Sequence, residues 1–169
     1  MTDLPDIALS VRQPWAWAIF HADPVKDIEN RSSVAIGKGS MAAGRRIAIQ
    51  ASRGMTRAYF ERAREVMRDI GVDCPPPATL LRGGIIGHVF VMDVVKKSDS
   101  PWFFGPRGLV LVDPVPCDFI PVSGVLGFFK WTPVEGGVPA PAARWMVPKS
   151  ISAPLRAGEH SRREQGELL

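Results

Sequence analysis

Apolar and polar positions alternate over Ile7–Val11 and again over Arg46–Ala51, where Ile47 and Ile49 mark the apolar face, so both stretches predict strands. Between them Arg12-Gln13-Pro14 breaks the first strand. Pro14 then suits the first turn of a helix through Trp15, Trp17 and Ile19, which ends at the Asp23-Pro24 turn. Lys26 to Arg31 is the next candidate strand, with Glu29 and Arg31 on one face and Ile28 and Asn30 on the other. Residues 37–45 hold Gly37, Gly39 and Gly44 and read as a loop. From Thr56 the spacing changes to three and four: Phe60, Ala63, Met67 and Ile70 form one side of a helix that Thr56 caps and Gly71 stops. Its other side mixes Arg57, Arg64 and Arg68 with Glu61 and Glu65.

Pro75-Pro76-Pro77 is a stiff connector to Ile85–Val95, an apolar run rich in β-branched residues in which Gly87 marks a bulge or a close backbone approach. A loop from Lys96 to Pro106 carries Trp102, Phe103 and Phe104. Leu109–Val112 and Val122–Trp131 predict two later strands, with Pro114, Pro116 and Pro121 between them at edges and corners. From Thr132 onward Pro, Gly and Ala dominate, and residues 156–169 are charged with no apolar stripe. The expected fold is α+β: a small, partly open β-barrel of five or six strands with two or three flanking helices over residues 1–135. A Pro/Gly/Ala-rich and charged extension is expected over residues 136–169.

Composition narrows the class. A chain of 169 residues, 46% hydrophobic and 22% charged, is ordinary for one globular domain, and its 16 Gly and 16 Pro suit short elements joined by tight turns. No run approaches the ~18 apolar residues of a membrane span. The start, MTDLPDIALSVRQPW, has two acids and no basic region before its first apolar stretch, unlike a signal peptide. Cys74 and Cys117 lack metal or redox spacing, and His21, His88 and His160 are scattered, which argues against structural zinc. A cytoplasmic protein with no membrane partner and no obligate protein partner is expected.

The net charge of +4 is mild, but its distribution is uneven. No acid lies between Glu29 and Glu61, whereas Arg31, Lys38, Arg45, Arg46, Arg53 and Arg57 all do. Folded onto one face, such a block attracts phosphate backbones; otherwise it is a solvated surface.

Five stretches then carry a resemblance: SVRQPWAWAIF, VKDIENRS, IAIQASRG, GGIIGHVFVMDVV and SPWFFGPRGLVL. In this order, over roughly residues 7 to 131, the chain resembles an ASCH domain of the PUA-like superfamily. The family's Gly-x-Lys-x-x-Glu-x-Arg motif is matched at Lys26, Glu29 and Arg31, with Pro24 in place of its Gly. The resemblance implies a PUA-like barrel whose cleft is lined by that charged trio, and RNA or a nucleotide as partner. Several relatives hold a modified base between aromatic walls. The chemistry agrees: Lys26 and Arg31 suit phosphate or a base carbonyl, and Glu29 accepts from a base N–H. Trp15 and Trp102 offer stacking faces, and Arg46 and Arg53 offer phosphate contacts.

Each residue also has a purely structural alternative. Glu29 and Arg31 suit an ion pair tying a strand to the sheet, and Trp15 suits a core. Gln13 either points into the cleft or caps the helix after it. Asp93 is either paired with a basic residue or exposed at a bulge, and His88 and Cys117 read as packing residues. One branch of the family hydrolyses an amide on acetylated cytidine with a Lys, a Thr three residues on and a later carboxylate. Here the position three after Lys26 is Glu29, and no Ser or Thr follows until Ser32, so the nucleophile is missing. A metal-assisted ribonuclease, with Mg²⁺ held by Glu29 or Asp93, is the remaining enzymatic alternative, without a clustered acidic motif behind it. Lys26 and Glu29 are catalytic candidates only under these enzyme readings. The binding reading requires no cofactor and no metal ligands.

Overall fold

The computed structural model describes residues 3–32 and 42–149. Lys38, Gly37 and Gly39 of the expected loop, His160 and the charged 156–169 stretch lie outside the described residues. The alternating segments form one mixed sheet of six strands: β1 (Ile7–Val11), β2 (Ile28–Arg31), β3 (Arg45–Ala51), β4 (Gly84–Val95), β5 (Arg107–Pro121) and β6 (Phe128–Lys130). Their spatial order is β2-β5-β4-β3-β1-β6. β1 and β3 run parallel, and the other pairings are antiparallel.

The sheet curls. β1 and β2 stand four strand spacings apart in that order, about 19 Å if the sheet were flat. Yet Arg31 on β2 donates from Nη2 to the Ser10 carbonyl on β1 at 2.8 Å. No side chain spans the flat distance, so the sheet is rolled into a half-barrel with β1 and β2 facing across an open mouth.

Two helices pack on this sheet. α1 (Trp15–His21) sends Ala16 and Ile19 into the main core with Leu9, Ile47, Ile49, Val89 and Leu109. Its other side, at Ala18, meets Met67 of α2 (Arg57–Ile70) together with Ile28 and Trp102. α2 begins and ends as its sequence dictates: Thr56 Oγ1 accepts from the Tyr59 N–H, and Gly71 closes the helix at φ 92°. Gly87 combines a register shift in β4 with a close approach. A Cβ there would overlap the Phe20 ring and the Val115 carbonyl. Asp93 is exposed at a second shift, its carboxylate accepting from the Val94 N–H.

β5 differs from the sequence pattern. Leu109–Val112 is only a part of it; the strand continues through Pro114 and Pro116 to Pro121, while the expected Val122–Trp131 strand contracts to Phe128–Lys130. β2 pairs with β5 only as far as Val110, so beyond that point one edge of β5 has no ladder for a missing N–H to break. Asp113, at φ 52°, sits in a bulge with Pro114, two residues opposing Val89 alone.

Of the expected 136–169 extension, the described residues 137–149 pack against the domain. Ala140 donates its N–H to the Arg82 carbonyl at 2.8 Å. Arg82, 6% exposed, donates to the carbonyls of Arg53 and Pro141. Met146 is buried with Met55, Phe60 and Leu80.

Candidate functional site: a charged and aromatic cleft

β2 is short and lies at the mouth of the half-barrel, so its polar face is set against the gap. There Glu29 is held at both oxygens. Oε2 accepts from Lys26 Nζ at 2.6 Å, and Oε1 lies 3.3 Å from Arg31 Nη2. Lys26 also donates to the Ile28 carbonyl. Lys26 and Glu29 are buried and Arg31 nearly so, their side chains 2%, 11% and 15% exposed. The expected ion pair between Glu29 and Arg31 exists, and Lys26 extends it to a trio with one anion between two cations.

The trio stands at the junction of two recesses. A cleft of about 840 Å³, within the range of small-ligand pockets, runs along the mouth between β2, β1 and the end of β3. A side recess of about 230 Å³ is enclosed by Trp15, Tyr59 and Phe104 together with Lys26, Glu29 and Asn30. Trp15, Glu29, Asn30 and Tyr59 line both, so the two spaces share a wall. The aromatic positions are fixed by polar contacts. Trp15 Nε1 donates to the Tyr59 hydroxyl at 3.0 Å, and Arg12 lies over the Tyr59 ring at 5.0 Å. Asn30 holds the aromatic loop at two points, donating to the Trp102 carbonyl and accepting from the Phe104 N–H, both at 2.8 Å.

The residues singled out in the sequence divide. Trp15, Glu29 and Arg31 line the cleft with Arg53, which is exposed; Lys26 lines the recess. Gln13 takes its capping alternative: 2% exposed, it accepts from the Trp17 N–H and donates to the Leu81 carbonyl, and it lines neither space. Trp102 has no exposed surface and backs Trp15 edge-on at 6.4 Å, so the stacking face expected of it is covered. Phe104, two residues on and 54% exposed, occupies the place expected for Trp102. Arg46 lies away from the cleft in an ion pair with Asp113. The basic block is therefore split: Arg57 pairs with Glu61, and only Arg31 and Arg53 of its described members face the cleft. Gln50, Ser52 and Tyr59 line the cleft without having been legible as site residues. So do Val125, Leu126, Val134 and Val138, four exposed apolar side chains that give the cleft an apolar rim.

Arg46 also contacts His88 Nδ1 at 3.0 Å. Burial first, and then the Arg46 charge, lower the His88 pKa, so the folded chain keeps this imidazole neutral where the unfolded chain protonates it. The unfolded state then gains protons as pH falls through ~6.5, and stability falls with it. Melting temperature is expected to drop between pH 7 and pH 5.5, less steeply in His88→Gln. Parallel pH curves for the two proteins would refute the His88 contribution.

Among the described residues no helix is long and apolar enough to cross a membrane, and no group of three or more His, Cys, Asp or Glu residues could hold a metal ion. Burial pushes the Cys74 thiol up to about 11 and raises that of Cys117 as well, so neither is an activated nucleophile. No family model and no curated protein matches the chain. The geometry defines the class of site: a half-barrel cleft with a fixed carboxylate, two cations and an aromatic side recess.

Proposed function

We propose that this chain is an ASCH-type, PUA-like domain that binds single-stranded RNA or a nucleoside, with a base seated in the side recess. The carrying observation is that recess itself. Its aromatic walls meet a carboxylate whose position Lys26 and Arg31 fix. Trp15 and Phe104 supply faces for a base, and Glu29 accepts from its amine or ring N–H. The attached backbone then lies in the larger cleft beside Arg53, where a phosphate has an exposed guanidinium to meet.

The enzyme readings draw less support. Amide hydrolysis by a Lys and Thr pair lacks its hydroxyl here, because Glu29 stands in the Thr position and is bonded to Lys26. For a metal-assisted nuclease, the Lys26 and Arg31 charges already offset that of Glu29 and repel a further cation there, and Asp93 lines neither recess.

The test is a titration with short single-stranded RNA. Phe104→Ala should weaken binding by ~1–3 kcal/mol, the worth of one base–aromatic stack. Its melting temperature should barely move, because the side chain is exposed. Arg53→Ala should flatten the log–log salt dependence by about 0.7, one phosphate on a single strand, while Arg46→Ala leaves the slope unchanged. Phe104→Ala binding as tightly as the wild type would remove the base from the recess.

A further inference from the structure

The cleft holds three buried polar atoms that have no partner among the described residues: Arg31 Nε, Gln50 Oε1 and Ser52 Oγ. They come together by topology. Ser10 on β1 pairs in register with Gln50 on β3, and Arg31 reaches across the mouth to the Ser10 carbonyl. Ser52, just past the end of β3, stays beside β1 through its N–H on the Val11 carbonyl and lines the same cleft. Gln50 is 1% exposed, and Gly124 closes over its amide so tightly that a Cβ there would overlap it. Burying such groups unpaired costs the folded state stability, which a ligand that pairs them returns as affinity. The three offer a fixed pattern: one N–H donor, one carbonyl acceptor and one hydroxyl that does either.

We infer that Arg31, Gln50 and Ser52 form a ribose-reading subsite that makes the cleft select ribonucleotides over deoxyribonucleotides. This rests on the base-binding reading above, because a base seated in the side recess leads its own sugar out into the cleft. Arg31 joins the two places: its Nη2 meets Glu29 at the recess, and the same side chain, which lines the cleft, carries the unpartnered Nε. A 2′-hydroxyl donates to Gln50 Oε1 and accepts from the Arg31 Nε–H, and the neighbouring 3′ oxygen accepts from the Ser52 hydroxyl. A deoxyribose leaves Gln50 and Arg31 unpaired. A 2′-O-methyl ribose keeps an acceptor but has no proton for Gln50.

Three short single strands of one adenine/cytosine sequence test this: ribo-, deoxyribo- and 2′-O-methyl-ribo-. The wild type should bind the first about tenfold more tightly than the other two. Gln50→Met and Ser52→Ala should each reduce that ratio, and together bring it near one, with thermal melts confirming that the variants are folded. A merely structural role for Gln50 would lower all three affinities alike and leave the ratio intact, which overturns the subsite. Equal wild-type affinity for the three strands overturns the subsite while leaving base binding in place. A wild type that binds none of them overturns the base-binding reading and the subsite with it.

Discussion

Glu29→Gln should destabilise the folded chain by about 3–5 kcal/mol, the usual consequence of removing one partner from a buried ionic group. The carboxylate lies between the Lys26 ammonium and the Arg31 guanidinium, and all three side chains are largely out of water. Glutamine keeps the shape but leaves two cations facing each other. Denaturant melts of wild type and variant measure the loss, and a loss below about 1 kcal/mol would show that water screens the trio after all. Lys26→Met combined with Glu29→Leu should recover part of the stability, because it removes one of the two facing cations and leaves Arg31 its bond to the Ser10 carbonyl. That double variant should not recover RNA binding. Stability and the proposed recognition are thus separable at one position.

Trp102→Ala should cost about 3–5 kcal/mol, the range for emptying a buried tryptophan site. Trp102 has no exposed surface and packs with Ile28, Met67 and Val72, where β2, α2 and the aromatic loop meet. Its Nε1 has no hydrogen-bond partner among the described residues, so Trp102→Phe forfeits volume but no hydrogen bond and should cost clearly less than alanine. RNA affinity should fall as well, although Trp102 is covered. Trp15 leans edge-on against it, and Trp15 without that backing no longer holds its place in the recess wall. Unfolding curves for the two variants, with RNA titrations on the same preparations, provide the check. An alanine variant that melts with the wild type would mean the cavity is refilled by its neighbours.

Much of the fold was written in local pattern. β1 and α2 follow directly from spacing and from caps such as Thr56 and Gly71, whose effect does not depend on distant chain. β5 was harder to read because Pro114 and Pro116 are tolerated only where β2 stops pairing, a fact of topology absent from the local sequence. The charged trio was legible because its members lie within six residues, Lys26 to Arg31. The aromatic assignments were only half legible. Trp102 and Phe104 sit in one loop, and which of them faces outward is decided by Asn30, which holds that loop from another strand. Gln13 and Gln50 look equivalent in sequence, each a polar residue beside a strand or helix end. One is consumed by capping α1, while the other is left with an unpaired acceptor under Gly124. The basic block failed as a unit for a similar reason: Asp113 and Glu61, each outside the block, draw off two of its members.

The walls of the cleft come from chain segments made at very different times. Ile28 of β2 has its strand partner at Val110, and the rim is completed by Val138, on a segment held down through Arg82 and Met146. A nascent chain that has released Trp15, Glu29 and Gln50 therefore carries residues of the cleft but no cleft. Until β5 arrives, β2 has an open edge on which to pair with something else. Long-range pairings such as β2 with β5 cannot form before β5 has been made, so the slow step of folding is expected after that point. A chain ended at residue 135 would lack the Val138 rim and the Met146 plug beneath α2.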